Sequence, residues 1–78
     1  MSVRIYPGRL RLEMARRGLS VTELARASDL SAPTVSTALA GRAISVRSLQ
    51  LIAAALTRLP TIEVIDSLLI GNGSQELS

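Results

Sequence analysis

The feature that most constrains this chain is a run of helix punctuation between Leu19 and Gly41, LSVTELARASDLSAPTVSTALAG. Ser20-Val21-Thr22-Glu23 has the form of a capping box, in which the Ser20 hydroxyl accepts from the residue-23 amide and Glu23 reaches back to the residue-20 amide. Leu19 and Leu24 flank it at the spacing of a hydrophobic staple. A helix is therefore predicted from Val21, and Glu23 to Ala27 continues it with good helix formers. It ends near Ser28-Asp29, because Asp tolerates the left-handed conformation better than most residues. Ser31 caps a second helix. Pro33 falls in its first turn, where the missing amide proton costs little, and Gly41 supplies the stop. On a helical wheel Val35 and Leu39 point one way with Ala38 beside them, and Pro33, Ser36, Thr37 and Ala40 point the other way. A face of small and hydroxyl side chains is a surface for something to lie against.

The pattern Leu24-Ala25, Leu30, Val35 resembles the helix-turn-helix of the Cro and phage-repressor (XRE-like) group over roughly residues 9 to 57. In that resemblance Ala25 is the small residue where two helices cross, Leu30 plugs the turn and Val35 anchors the second helix. Thr34-Val35-Ser36, with Leu39 and Gly41, is also similar to the lactose-repressor headpiece. The chain departs from the phage group at Asp29, where Gly is usual, at Ser28 and Ala38, where larger apolar residues are common, and at Val21, where Gln often touches phosphate.

The resemblance implies an all-α fold: a compact four- to five-helix bundle of the lambda-repressor-like type, with a short C-terminal extended or helical segment. It implies double-stranded DNA as partner, with the second motif helix in the major groove. Ala32, Pro33, Ser36 and Thr37 fall at the base-edge positions. Ser20, Val21, Thr22, Ser31, Thr34, Arg42 and Arg47 fall at the backbone. The base-edge set contains no Arg, Lys, Gln or Asn, so the strong bidentate contacts are unavailable. Reading would rest on Ala32 and Pro33 against thymine methyls and on single bonds from Ser36 and Thr37, with help from arginines outside the helix and from a homodimer on doubled half-sites. The implied setting is a phage immunity or Cro-like repressor that occludes a promoter. Two readings of another kind stay open: a protein-interaction module on the same fold, such as an antitoxin, and a DNA-binding domain cut from a longer repressor.

Composition narrows the alternatives. At 78 residues the chain is one domain near the lower limit for a self-sufficient core. It has no Cys and no His, which removes disulfides, thiolate metal sites and the commonest general base. One Tyr, no Phe and no Trp leave no stacking platform for single-stranded nucleic acid. Every basic residue is Arg: residues 1–58 carry nine against Glu13, Glu23 and Asp29, and residues 59–78 carry three acids and none. A basic body fits a polyanion; an ordinary solvated surface is the alternative. No apolar run is expected to approach the roughly 18 residues of a membrane span, and Pro7-Gly8-Arg9 interrupts any signal-peptide core. A cytoplasmic protein, bacterial or phage-encoded, is expected. There is no phosphate-cradling Gly loop, HExxH or calcium loop, and the carboxylates are scattered. No enzyme activity, cofactor, metal, small-molecule ligand or membrane partner is expected.

The remaining chain divides as follows. Residues 1–6 form an arm in which Val3-Arg4-Ile5-Tyr6 alternates; it either packs on the bundle or reaches DNA through Arg4. Residues 7–58 form the DNA-binding domain, with the motif at 20–40. Its first helix, Pro7 to Arg17, presents Leu10 and Met14 to the core, turns Arg9, Arg11, Arg16 and Arg17 outward, and closes at Gly18. Arg42, just past the second motif helix, suits a phosphate and equally a solvated loop. Ser45 caps a helix from Val46 to Thr57 with a core stripe at Leu49, Ile52, Ala53 and Leu56. Arg47 lies in its first turn, against the dipole, a cost an adjacent phosphate would offset.

Residues 59–70 form a packing and dimerisation segment. Thr61 to Ile65 is β-branched, which favours an extended stretch with Asp66 capping a turn; alternatively Thr61 caps one helix through Ile70. Ile62, Ile65 and Leu69 are assigned to the bundle. Val64, Leu68 and Ile70 are left over for a homodimer contact, or for a fuller wrap of the core. Residues 71–78, GNGSQELS, are expected to be disordered.

Overall fold

The computed structural model describes residues 1–69. In chain order these form β1 (Ser2–Val3), α1 (Pro7–Arg17), α2 (Val21–Ser28), α3 (Ala32–Leu39), β2 (Ile44–Ser45), α4 (Val46–Arg58) and α5 (Ile62–Leu68). The expected helical bundle stands, with a small two-stranded sheet added.

Helices α1, α2 and α3 share one ending, and its cause is a left-handed residue. Gly18, Asp29 and Gly41 have φ of 65°, 58° and 75°. Each turns the chain so that the next amide reaches back five residues: Leu19 N–H to Met14 O, Leu30 N–H to Ala25 O, and Arg42 N–H to Thr37 O, at 2.9, 2.9 and 3.1 Å. This is the Schellman arrangement, and it satisfies carbonyls that the helix cannot. Asp29 holds this geometry in the turn between α2 and α3 without glycine.

The starts are capped as the sequence predicts. Ser20 Oγ accepts from Glu23 N–H at 3.1 Å and Glu23 Oε1 accepts from Ser20 N–H at 2.8 Å, closing the capping box. Ser31 and Ser45 accept from the amides of Thr34 and Ser48. Pro7 occupies the first position of α1, where the missing amide proton is harmless.

Leu10, Met14, Leu24, Ala25, Val35, Ala38, Ile44, Ile52 and Ala55 make the buried core. Its centre is Leu24, Val35 and Ile52, each at most 2% exposed. The stripe on α4 differs from expectation: Ile52 and Ala55 are buried, Leu49 and Leu56 are half-buried, and Ala53 is exposed. Helix α4 is rotated to face α2, so Ala53 falls at a rim. Ser28 is a polar residue inside this core, and its hydroxyl donates to Leu24 O at 2.6 Å. That bond within α2 explains how a hydroxyl occupies a position where larger apolar residues are usual.

Two further expectations change, and one open alternative is decided. Arg17 does not point outward: its side chain is 13% exposed and its guanidinium donates to Leu56 O, Leu59 O and Glu13 O, and to the Glu13 carboxylate. Of the two readings of the β-branched stretch after Pro60, the helical one holds: Thr61 O accepts from Ile65 N–H and starts α5. Tertiary contact with α1 overrides a weak strand preference. Ile62, Ile65 and Leu69, assigned to the bundle, remain 43%, 41% and 57% exposed, since α5 leans on α1 only at one end.

By composition, Val46–Ile65 is a run of 20 residues apolar enough for a membrane span, longer than expected. The break at Leu59–Thr61 divides it into α4 and α5. Helix α4, at 13 residues, is about 20 Å long, short of the ~30 Å hydrocarbon layer.

Candidate nucleic-acid interface

Helix α3 has two unlike faces. Val35 and Ala38 are buried, Leu39 is half-buried, and Pro33, Ser36 and Ala40 are exposed. Ala32 is half-buried, with its side chain packed partly on the core. The exposed face is held rigidly, because its other side is embedded and both ends are capped.

The hydroxyls on this face are not equivalent. Thr37 Oγ1 donates to Pro33 O at 2.9 Å, so it offers a ligand its methyl group and its acceptor lone pairs. Thr34 Oγ1 and Ser31 Oγ share a hydrogen bond of 2.9 Å at the start of α3. Ser36 Oγ is exposed and makes no hydrogen bond among the described residues, which leaves it both donor and acceptor.

Beside α3 lies a shallow recess of about 260 Å³, lined by Thr34, Thr37, Ala43, Ile44, Ser45 and Ser48. Ser45 Oγ donates to Ser48 Oγ at 2.9 Å. The recess joins the α3 face to the start of α4, with Arg42 and Arg47 exposed on the same stretch of chain. Sequence reasoning named Ser45 only as a cap and did not name Ala43 or Ser48. The signal available was Ser45 and Ser48 three residues apart at a helix start.

Residues 1–6 are not a free arm. Ser2 pairs with Ser45 and Val3 with Ile44 in an antiparallel ladder. Ile44 is buried and Val3 half-buried on one side of the pair, with Ser2 and Ser45 exposed on the other. Arg4 is exposed and shares a recess with Tyr6, Pro7 and Gly41. The strand therefore brings Arg4 to the loop that follows α3. The remaining backbone candidates, Ser20 and Thr22, are exposed at the start of α2, where Val21 packs against the core.

The arginines divide by employment. Arg11 donates to Leu39 O at the end of α3, Arg17 to Leu56 O and Leu59 O at the end of α4, and Arg58 to Ala27 O at the end of α2. Cations at helix C-termini satisfy orphan carbonyls and oppose the dipole. Arg16 pairs with Glu13 at 3.4 Å. Arg4, Arg9, Arg26, Arg42 and Arg47 are exposed with no such partner among the described residues. Fewer guanidiniums are thus free to reach a phosphate than composition suggests.

Two carboxyls are perturbed. Glu13 is held below the usual range by the hydrogen bond from Arg17, with the charges of Arg16 and Arg17 adding to it against some desolvation. Glu23 is lowered by the Ser20 amide it accepts from, then by the Ser20 hydroxyl. Both shifts come from helix-stabilising contacts.

A family model described as a Cro/C1-type HTH DNA-binding domain matches residues 9–57. That range runs from inside α1 to inside α4 and contains the two motif helices and the recess beside them. No curated protein and no solved structure matches the chain.

Proposed function

The chain belongs to the Cro/C1-type helix-turn-helix DNA-binding family, and from that premise we propose that it is a sequence-specific repressor that occludes a promoter. Its partner is double-stranded DNA, and α3 enters the major groove. The observation that carries the proposal is the α3 face of small and hydroxyl side chains, with Pro33, Ser36 and Ala40 exposed and Thr37 half-buried over a buried apolar face, and Arg42 and Arg47 exposed beyond its end.

In this reading Ala32 and Pro33 meet thymine methyls. Ser36 donates or accepts at a base edge, and Thr37 accepts there, since its proton is held by Pro33 O. Amides at the starts of α2 and α3, around Ser20, Val21 and Thr22 and around Ser31 and Thr34, point at phosphates. Arg42, Arg47 and Arg4 supply the cations.

Single hydroxyl contacts are each weaker than the ~1–3 kcal/mol of a bidentate pair, so useful affinity calls for two half-sites. Val64 and Leu68, 48% and 77% exposed on α5, form the homodimer contact. Ile70, assigned with them, lies outside the described residues, as does the 71–78 tail. The proposed setting is the cytoplasm of a bacterium, with a host-encoded or phage-encoded gene of the immunity or Cro-like kind.

The test is fluorescence anisotropy with DNA from upstream of the gene, in excess nonspecific competitor and at several salt concentrations. Competitor-resistant binding with a steep salt slope is the expected result. Binding abolished by competitor leaves only a basic surface. No binding at low salt replaces this reading with a protein-interaction module.

A further inference from the structure

A second surface, away from α3, is apolar and unfilled. A groove of about 150 Å³ runs between α1 and α4, lined by Ile5, Leu10, Leu49, Ile52, Ala53 and Leu56, with Arg9 and Glu13 at its rim. Leu10 and Ile52 are its buried floor, and Ala53 is exposed on its wall. No described segment of the chain occupies it.

Helix α5 has the complementary fault. Val64, Ile65, Leu68 and Leu69 are 48%, 41%, 77% and 57% exposed. Within its own chain α5 is held away from the groove. Ile62 sits beside Gly18, at the far end of α1, about 7 Å along the helix from Glu13 at the near end of the groove and about 13 Å from Arg9 at its far end.

Charge selects the same match. At the groove rim the Glu13 carboxylate is occupied by Arg17 at 2.7 Å and Arg16 at 3.4 Å. Arg9 has no described partner, so the uncommitted charge of the rim is positive. The segment that carries α5 has acids and no Arg. Two basic bodies repel each other, and an acidic apolar helix laid into a basic-rimmed apolar groove offsets that repulsion.

We infer that this groove is the seat for α5 of a second copy, with Leu68 as the entering side chain and the contact repeated about a two-fold axis. The inference rests on the homodimer reading and names the surface that α5 meets. The groove has no residue from α2 or α3, so both recognition helices of the dimer stay open. The dimer is thus an exchange of helices into grooves, in which each α5 meets α1 and α4 of its partner.

The chain has no cysteine, which makes cross-linking a clean test. Ala53→Cys and Leu68→Cys chains, one of them isotopically heavy, are mixed and oxidised, and the disulfide-linked species are weighed by mass spectrometry. Both positions are exposed in the monomer, and circular dichroism checks that each variant folds. The expected product is the mixed Ala53→Cys/Leu68→Cys dimer, about tenfold over either self-linked species. In parallel, Ala53→Glu weakens dimerisation at least about tenfold by sedimentation equilibrium. A dominant Leu68→Cys self-link, with Ala53→Glu still dimeric, overturns the groove and leaves a dimer built from α5 against α5. A wild-type chain of monomer mass throughout the concentration series overturns the homodimer reading itself.

Discussion

Replacing Arg17 by methionine removes the contact that ties the first helix to the fourth, together with the bonds to Glu13 within α1. The guanidinium Nε donates to Leu56 O at 3.0 Å in the last turn of α4 and to Leu59 O at 3.1 Å just past its end. It also donates to Glu13 O within α1. Hydrogen bonds from a charged donor are worth roughly 1.5–3 kcal/mol each when one partner is removed. Both carbonyls share the single Nε–H, so they count as one three-centre bond of roughly 1.5–3 kcal/mol. The carbonyls lie at a helix end and recover some water, which returns about 1 kcal/mol. Methionine preserves the packing of the aliphatic stem. The expected loss is therefore about 1–2 kcal/mol, or roughly 5–15 °C in Tm for a domain of this size. Urea and thermal unfolding followed by far-ultraviolet circular dichroism measure it. Arg17→Lys keeps the charge and loses the fork, so it falls between. A methionine variant within about 0.5 kcal/mol of wild type, the usual spread of neutral surface changes, refutes the claim that Arg17 caps α4.

Other outcomes follow from the same contacts. Arg42→Ala lowers DNA affinity evenly across operator sequences and reduces the slope of log K against log salt by about 0.9; a change in sequence preference instead would make Arg42 a base reader. Gly41→Ala destabilises by about 1–2 kcal/mol in urea titrations, because φ is 75° and a methyl group would lie 3.2 Å from Pro7 Cγ; an unchanged midpoint would contradict the left-handed stop. Glu13 and Glu23 have lowered folded-state pKa values, so their contribution is present above the ordinary carboxyl range and is lost as pH falls through the folded values. Tm is then steady from neutral pH to about pH 5 and falls below about pH 4. The Glu13→Gln/Glu23→Gln variant loses part of that dependence in a pH series of melts, and an identical slope would remove these two groups as its source.

The motif was readable because its signals are local. A capping box, a proline in a first turn and a left-handed stop each act within about four residues, and each does so in the structure. The faces of α3 were readable for the same reason, since a helix converts spacing directly into direction. Arg17 was not. Its outward placement followed from the wheel of α1, and the carbonyls it serves are 39 and 42 residues away. Arg11 and Arg58 escaped in the same way, reaching partners 28 and 31 residues distant. The recess beside α3 likewise depends on which residues of β2 and α4 are folded against it.

What the sequence alone determined is the punctuation: where α1 to α4 begin, where α1 to α3 end, and which side of α3 faces out. Those are set by backbone hydrogen-bonding demands that nearest neighbours along the chain satisfy. Only the tertiary structure decided that Ser2 and Val3 pair with β2 rather than hang free, that α5 is a helix despite its β-branched residues, and which arginines are tied to helix-end carbonyls. Strand pairing needs a partner brought from some 40 residues away, a marginal helix needs a surface to lean on, and a guanidinium needs an orphan carbonyl within about 3 Å. Each of these partners exists only after the bundle has closed.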